Sequence, residues 1–208
     1  DNNPIDDNRH GSHVAGIIAA QGNNATGVSG VNWSAQIMPL KFMTATGSGT
    51  SANAIRAINY AVAKGAKISN NSWGGGAFSQ ALQNAITAAE QAGHLFVAAA
   101  GNAGSNNDTT PSYPASYTNA NILSVASTTN TNGLSTFSNF GAQSVDIGAP
   151  GQGILSTVLG SATATLSGTS MASPVVAGVA GLMLASNGSL SLAALRNAIL
   201  SSSDPVPA

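Results

Sequence analysis

The sequence has no cysteine, and only 6% of its 208 residues are charged. The first absence excludes disulfides and thiolate metal sites. The second excludes an electrostatic nucleic-acid surface, because phosphate contacts take many Lys or Arg. Here Lys and Arg number 6 against 7 Asp and Glu, for a net charge of −1, and no basic cluster occurs. Aromatic residues are also few, at 5%. No stretch has the roughly 18–20 continuous apolar residues of a membrane span, so no membrane partner is expected. What is present is 43% hydrophobic residues and 24 glycines, with many Ala, Ser, Thr and Asn. That composition fits one tightly packed domain over residues 1–208, with a polar but uncharged surface of the kind expected of a secreted monomer.

The stretch Gly168-Thr169-Ser170-Met171-Ala172-Ser173-Pro174 runs into the apolar Val175 to Ala185. A serine on a turn at the start of a buried helix has an outward hydroxyl and an unpaired backbone N–H, since the first helical amides have no intrahelical acceptor. The helix dipole favours negative charge beside it. Pro174 is expected within the first turn, where its missing N–H costs little. Most serines at helix starts are plain caps, so a nucleophile also needs partners.

Residues 1–9, with Asp1, Asp6, Asp7 and Arg9, read as a polar loop. His10 then begins an apolar helix, His10-Gly11-Ser12-His13-Val14-Ala15-Gly16 onward. A cation is disfavoured at a helix N-terminus, so His10 is expected to stay neutral, as a general base requires. A packed core histidine and a His10–His13 metal pair are the competing readings.

Further on, Gln36–Phe42 reads as a strand made irregular by Pro39, and residues 54–62 as a helix ended by Gly65. Strands follow at 67–73, 94–100, 122–126 and 145–147, with a helix over 78–92, a hairpin over 154–166 and a last helix over 190–200. Asn102 lies just past the apolar strand 94–100, where doubly wound sheets bind ligands. Alternating strands and helices predict an α/β fold with a doubly wound, mostly parallel sheet.

Three segments carry a family resemblance. His10-Gly11-Ser12-His13-Val14-Ala15-Gly16, Ala99-Ala100-Gly101-Asn102 and Gly168-Thr169-Ser170-Met171-Ala172-Ser173-Pro174 resemble, in order, the histidine, oxyanion-asparagine and nucleophile motifs of the subtilisin-like serine proteases, the subtilases. The resemblance implies a serine endopeptidase in which Ser170 attacks, His10 shuttles the proton and Asn102 donates to the oxyanion. It implies peptide or protein substrates held between Gly47-Ser48-Gly49 and Ser72-Trp73-Gly74. No acidic residue falls among Ala99–Gly101 or at Ser112, so apolar or broad specificity is expected. No cofactor is needed for catalysis. The loop 21–28 resembles the family's calcium loop, with Asn24 as the side-chain ligand of a structural calcium.

The family's catalytic aspartate stands in an Asp-Ser/Thr-Gly motif on an early strand, and no such motif occurs in this sequence. The expectation is therefore a chain truncated at both ends, missing the early strand that carries the acid. The alternative function is a catalytically inactive subtilase-fold fragment or peptide-binding pseudoenzyme.

Overall fold

Short apolar runs alternate with helices, and the two periods sort their side chains onto different surfaces. The computed structural model describes residues 3–205; Asp1 and the end of the predicted polar tail, 206–208, lie outside the described residues. Four strands, β1 (Ile68–Asn71), β2 (Leu95–Ala99), β3 (Ile122–Thr128) and β4 (Ile147–Pro150), pair in that order, all parallel. Every residue of β2 and β3 is buried, as expected of parallel strands covered on both faces.

Side-chain alternation along β2 builds two cores. Leu95 and Val97 join Leu123, Val125, Ala172, Val176 and Ala180 on one face, beneath α4 (Thr169–Ser186) and α5 (Leu192–Ser201). Phe96 and Ala98 face the other way, against α2 (Ser51–Ala63) and α3 (Gln80–Gln91) through Ile58, Leu82, Ile86 and Ala89. Helix α4 is apolar enough to cross a membrane by length and composition, but half of that window is buried inside the protein. Its low amphipathicity follows from being surrounded by sheet and helices.

Helix α1 (His10–Ala19) lies beside α4 and against an antiparallel hairpin, β5 (Ile154–Val158) and β6 (Ala162–Leu166). Gly16 permits the close approach, since a Cβ there would lie 2.2 Å from Thr157 Oγ1 and 2.4 Å from Ser156 Oγ. Those two hydroxyls donate to the Ser12 and His13 carbonyls, at 2.9 and 2.7 Å. The hairpin is thereby bolted to the helix that carries His10.

The structure corrects three expectations. Gln36–Phe42 forms no strand: the run joins no ladder, and Ile37 and Met38 remain 41% and 42% exposed. A strand requires a neighbour as well as an apolar pattern. The fourth sheet strand begins at Ile147 and continues to Pro150, beyond the predicted 145–147. Pro174 is not in the first turn. Helix α4 starts at Thr169, so proline is its sixth residue and leaves the Ser170 carbonyl without its intrahelical donor. Ser72 Oγ fills that vacancy, donating to Ser170 O at 2.8 Å.

Candidate active site

Ser170 is the second residue of α4, half-buried, so its N–H is one of the helix's orphan donors. Its hydroxyl rests 3.4 Å from the Ser72 carbonyl, a contact too long to hold it firmly. Asn102 follows β2 and reaches the same helix start. Its Oδ1 accepts from Thr169 N at 2.8 Å and from Thr169 Oγ1 at 3.0 Å. Both partners are donors, so the oxygen must face Thr169 and the amide N–H groups are left for an incoming group. Two donors, Asn102 Nδ2 and Ser170 N, thus lie beside one nucleophile, which suits charge developing on a tetrahedral intermediate.

Sequence reading passed over Thr169. It is fully buried, and besides clamping Asn102 its hydroxyl accepts from Gly101 N at 3.2 Å. The available signal was its place between the turn glycine and the serine, at the first helical position. Thr169→Val removes the hydroxyl while keeping its volume, so Asn102 loses one of two restraints. We expect kcat to fall about tenfold, the worth of roughly one hydrogen bond, with KM little changed. Steady-state kinetics on a peptide substrate checks this; an unchanged kcat would remove Thr169 from the machinery.

His10 opens α1. Val14, one turn further on, packs with Met171, the residue after Ser170, which sets the N-terminal ends of α1 and α4 side by side. Asp6 caps α1, its carboxylate accepting from Ser12 N at 2.7 Å and from Asn8 N and Arg9 N. Negative charge at this helix end is favourable. The His10 pKa is lowered from 6.5, chiefly by burial and then by His13, with Asp6 opposing. Burial is thus the largest cause favouring the neutral imidazole.

The linkage has a definite sign. In the interval between the lowered folded value and 6.5 the unfolded chain binds more protons, so this stability is complete above 6.5 and is lost as pH falls through the folded pKa. His94, also lowered by burial, acts in the same direction. In residues 1–208, NMR titration of His10 is expected to show a midpoint below 6.5. A midpoint of 7 or higher would contradict the burial argument.

The His10–His13 pair gains no further ligand. His13 is buried and points its Nε2 at the Ile154 and Ala164 carbonyls, at 3.1 and 3.0 Å, so that nitrogen carries hydrogen, while its buried Nδ1 has no hydrogen-bond partner. No cluster of His, Asp or Glu able to hold a metal occurs among the described residues. Asn24 is exposed, and its Oδ1 already accepts from Thr26 N at 3.1 Å. The loop 21–28 supplies neutral oxygens only and does not by itself make a six- to eight-oxygen calcium site.

Trp73, in one of the two segments expected to flank a cleft, makes an edge-on contact with Phe42, ring centres 5.2 Å apart. Gly47, Ser48 and Gly49 form an exposed turn closed by Thr44 N to Ser48 O at 2.8 Å, and Gly49 lies against the Phe42 ring. Opposite them are Ser72, Trp73 and Gly74, with Gly75 N bonded to Tyr113 O at 3.0 Å. Ser112 stands near both Gly74 and Gly101. Neither Asp108 nor Asp146 hydrogen-bonds to His10: Asp146 pairs with Arg196 and Ser124 N, and the exposed Asp108 with Ser144 and Gln143 N.

A helix-borne serine, two N–H donors beside it and a histidine favoured in its neutral form at the start of the adjoining helix make up the candidate site on a parallel α/β scaffold. The chain matches the Subtilase family over residues 1–207 and belongs to it. It is 46% identical to thermitase of Thermoactinomyces vulgaris over 206 residues, covering 99% of this chain and 71% of that protein. It is 43% identical to subtilisin Savinase of Lederbergia lenta, covering 92% of this chain and 69% of that one. A thermophilic serine proteinase of Bacillus sp. (strain AK1) is 43% identical, and the chain spans 49% of its length. The crystal structure of a cold-adapted subtilisin-like serine proteinase superposes with a TM-score of 0.85 at 36% identity, over 95% of this chain and 68% of that one.

Proposed function

We propose that the protein of which these residues form part is a serine endopeptidase working through an acyl-enzyme. Ser170 Oγ attacks the scissile carbonyl while His10 takes its proton. The C–O bond forms as the carbonyl π pair moves onto oxygen, where Asn102 Nδ2 and Ser170 N receive it. His10 then protonates the leaving amine as the C–N bond breaks, and water repeats the sequence in reverse. The observation that carries this reading is the clamp of Thr169 on Asn102, which leaves two donors free beside one serine hydroxyl.

Extended peptides would lie between Gly47-Ser48-Gly49 and Ser72-Trp73-Gly74, where small residues let one backbone approach another. No acidic side chain occurs among Ala99–Gly101, Ser112 or Ser72–Gly74, which favours apolar or broad preference at the cleavage position. The uncharged polar surface supports action outside the cell. A structural calcium at 21–28 would require carboxylates from beyond that loop.

A second reading, an inactive peptide-binding member of the family, is favoured by one observation. Among the described residues no carboxylate hydrogen-bonds to His10; Asp6 is committed to main-chain N–H groups and Asp7 to Lys41. A carboxylate on the imidazole is worth about 10⁴ in turnover in another serine protease. An organophosphonate bearing Phe or Leu on the phosphorus side, the part that stays on the serine as the leaving group departs, separates the readings. The expected result is a stoichiometric adduct on Ser170, formed faster than with a Lys-bearing reagent. Labelling that survives Ser170→Ala would refute the assignment.

A further inference from the structure

Asn102 is exposed, and residues 101–105 belong to no helix and to no strand of the sheet. A donor on such a loop has to be held in place, since a misplacement of about 1 Å can cost about 10² in rate. Thr169 holds its tip, the Oδ1 atom. The other end is the backbone on either side of its Cα, which decides where the side chain starts.

Both peptide groups that flank the Asn102 Cα are bonded to one residue, Asn139. Its N–H donates to Gly101 O at 2.9 Å, and its Oδ1 accepts from Ala103 N at 2.8 Å. Oδ1 also accepts from Ser105 N at 3.3 Å. At the other end of the amide, Nδ2 donates to Ala100 O at 3.2 Å and to Asn107 Oδ1 at 2.9 Å. Main-chain N–H groups only donate and Ala100 O only accepts, so the amide can face one way alone. All four of its hydrogen-bonding positions are used, on a residue only 3% exposed.

Asn139 is itself fixed by its surroundings. Asn107, also buried, donates its Nδ2 to Ala100 O at 2.9 Å, so its Oδ1 is the end presented to Asn139. Gly101 has a φ of 117°, and a Cβ there would lie 2.4 Å from Asn139 Nδ2. The glycine before Asn102 is thus required twice, for its backbone angle and for the room it leaves the Asn139 amide. The segment carrying Asn139 is fastened along the loop, with Gly104 N donating to Phe137 O at 2.8 Å and Phe140 N to Ser105 O at 3.1 Å.

We infer that Asn139 is the positioning residue for Asn102: it locks the two peptide planes from which that side chain springs, while Thr169 orients the amide at its tip. Aspartate has the same shape but no hydrogen for Ala100 O or Asn107 Oδ1, and would set a carboxylate oxygen against both. The inference rests on Ser170 and Asn102 acting as proposed above, but the placement it describes is readable without turnover.

Asn139→Asp and Asn139→Ala in the complete protein test this. On a peptide substrate kcat should fall at least tenfold in the first and about 10²-fold in the second, with KM within about threefold of the parent, because the donor serves the oxyanion and not the bound peptide. Asn102→Ala should cost about 10²–10³ in kcat, a figure measured on a subtilisin. Adding either Asn139 change to Asn102→Ala should then cost no more than about twofold, since no amide is left to place. A general loosening of the fold would lower kcat by the same factor in both backgrounds. NMR gives a readout independent of catalysis: the Asn102 side-chain amide signals should shift or broaden in both variants, and the Ala103 amide should exchange at least tenfold faster in Asn139→Ala. Asn139→Asp keeps the volume and the two accepted bonds, so it carries the comparison if Asn139→Ala does not fold. Unchanged kcat in the folded variants, a loss that lies in KM, or an equal loss in the Asn102→Ala background would each overturn the proposal. A parent that neither cleaves peptide nor takes the phosphonate on Ser170 would refute the reading of Ser170 instead. Asn102 amide signals unmoved by either change would still overturn the placement of Asn102 by Asn139.

Discussion

Ser170→Ala in the complete protein is expected to lower kcat by about 10⁶-fold while leaving the melting temperature within a few degrees of the parent. The rate figure was measured on a subtilisin and is carried over here. The stability figure comes from this structure, where the hydroxyl makes only a long, 3.4 Å approach to Ser72 O. His10→Ala should cost a similar factor, and the double variant little more, because nucleophile and base act as a unit. Single-turnover kinetics with an activated ester checks all three. Residual activity of Ser170→Ala above about one per cent would place the nucleophile elsewhere.

Gly16→Ala has the largest expected effect on stability, and its sign is opposite to helix propensity. On an open helix surface the change would gain up to about 1 kcal/mol. At Gly16 the new methyl meets two hydroxyl oxygens at 2.2 and 2.4 Å, both already bonded to the first turn of α1. Overpacking costs about 1–3 kcal/mol, and two weakened hydrogen bonds add about 1 kcal/mol each. A domain of this size loses about 2–4 °C per kcal/mol, so the melting temperature should fall by roughly 10 °C. Calorimetry gives the test, and an unchanged or raised melting temperature would show that the hairpin is not seated against α1 as described.

Residues whose signal is local were legible from the chain. The helices at 51, 80 and 192 carry their own period, those at 10 and 169 their apolar runs, and the serine, histidine and asparagine sit in short motifs with few alternative uses. The continuous apolar run that forms β2 announced a buried parallel strand before any partner was known. Gln36–Phe42 carried an apolar pattern broken by Pro39 and Lys41 and forms no strand, because pairing also depends on what lies alongside. Thr169 stayed hidden for a related reason: its value lies in a bond to Asn102, 67 residues away. Pro174 was placed one turn too early because the helix begins at Thr169, before the apolar run that drew attention to it.

The bond from Ser72 Oγ to the Ser170 carbonyl exists because Pro174 has no hydrogen to offer. It makes a short tether between Ser72-Trp73-Gly74 and the backbone of Ser170. In the proposed mechanism, a peptide that pushes on Ser72-Trp73-Gly74 would either stretch that tether or carry Ser170 with it. The proposed nucleophile would thereby be indexed to the segment proposed to hold its substrate.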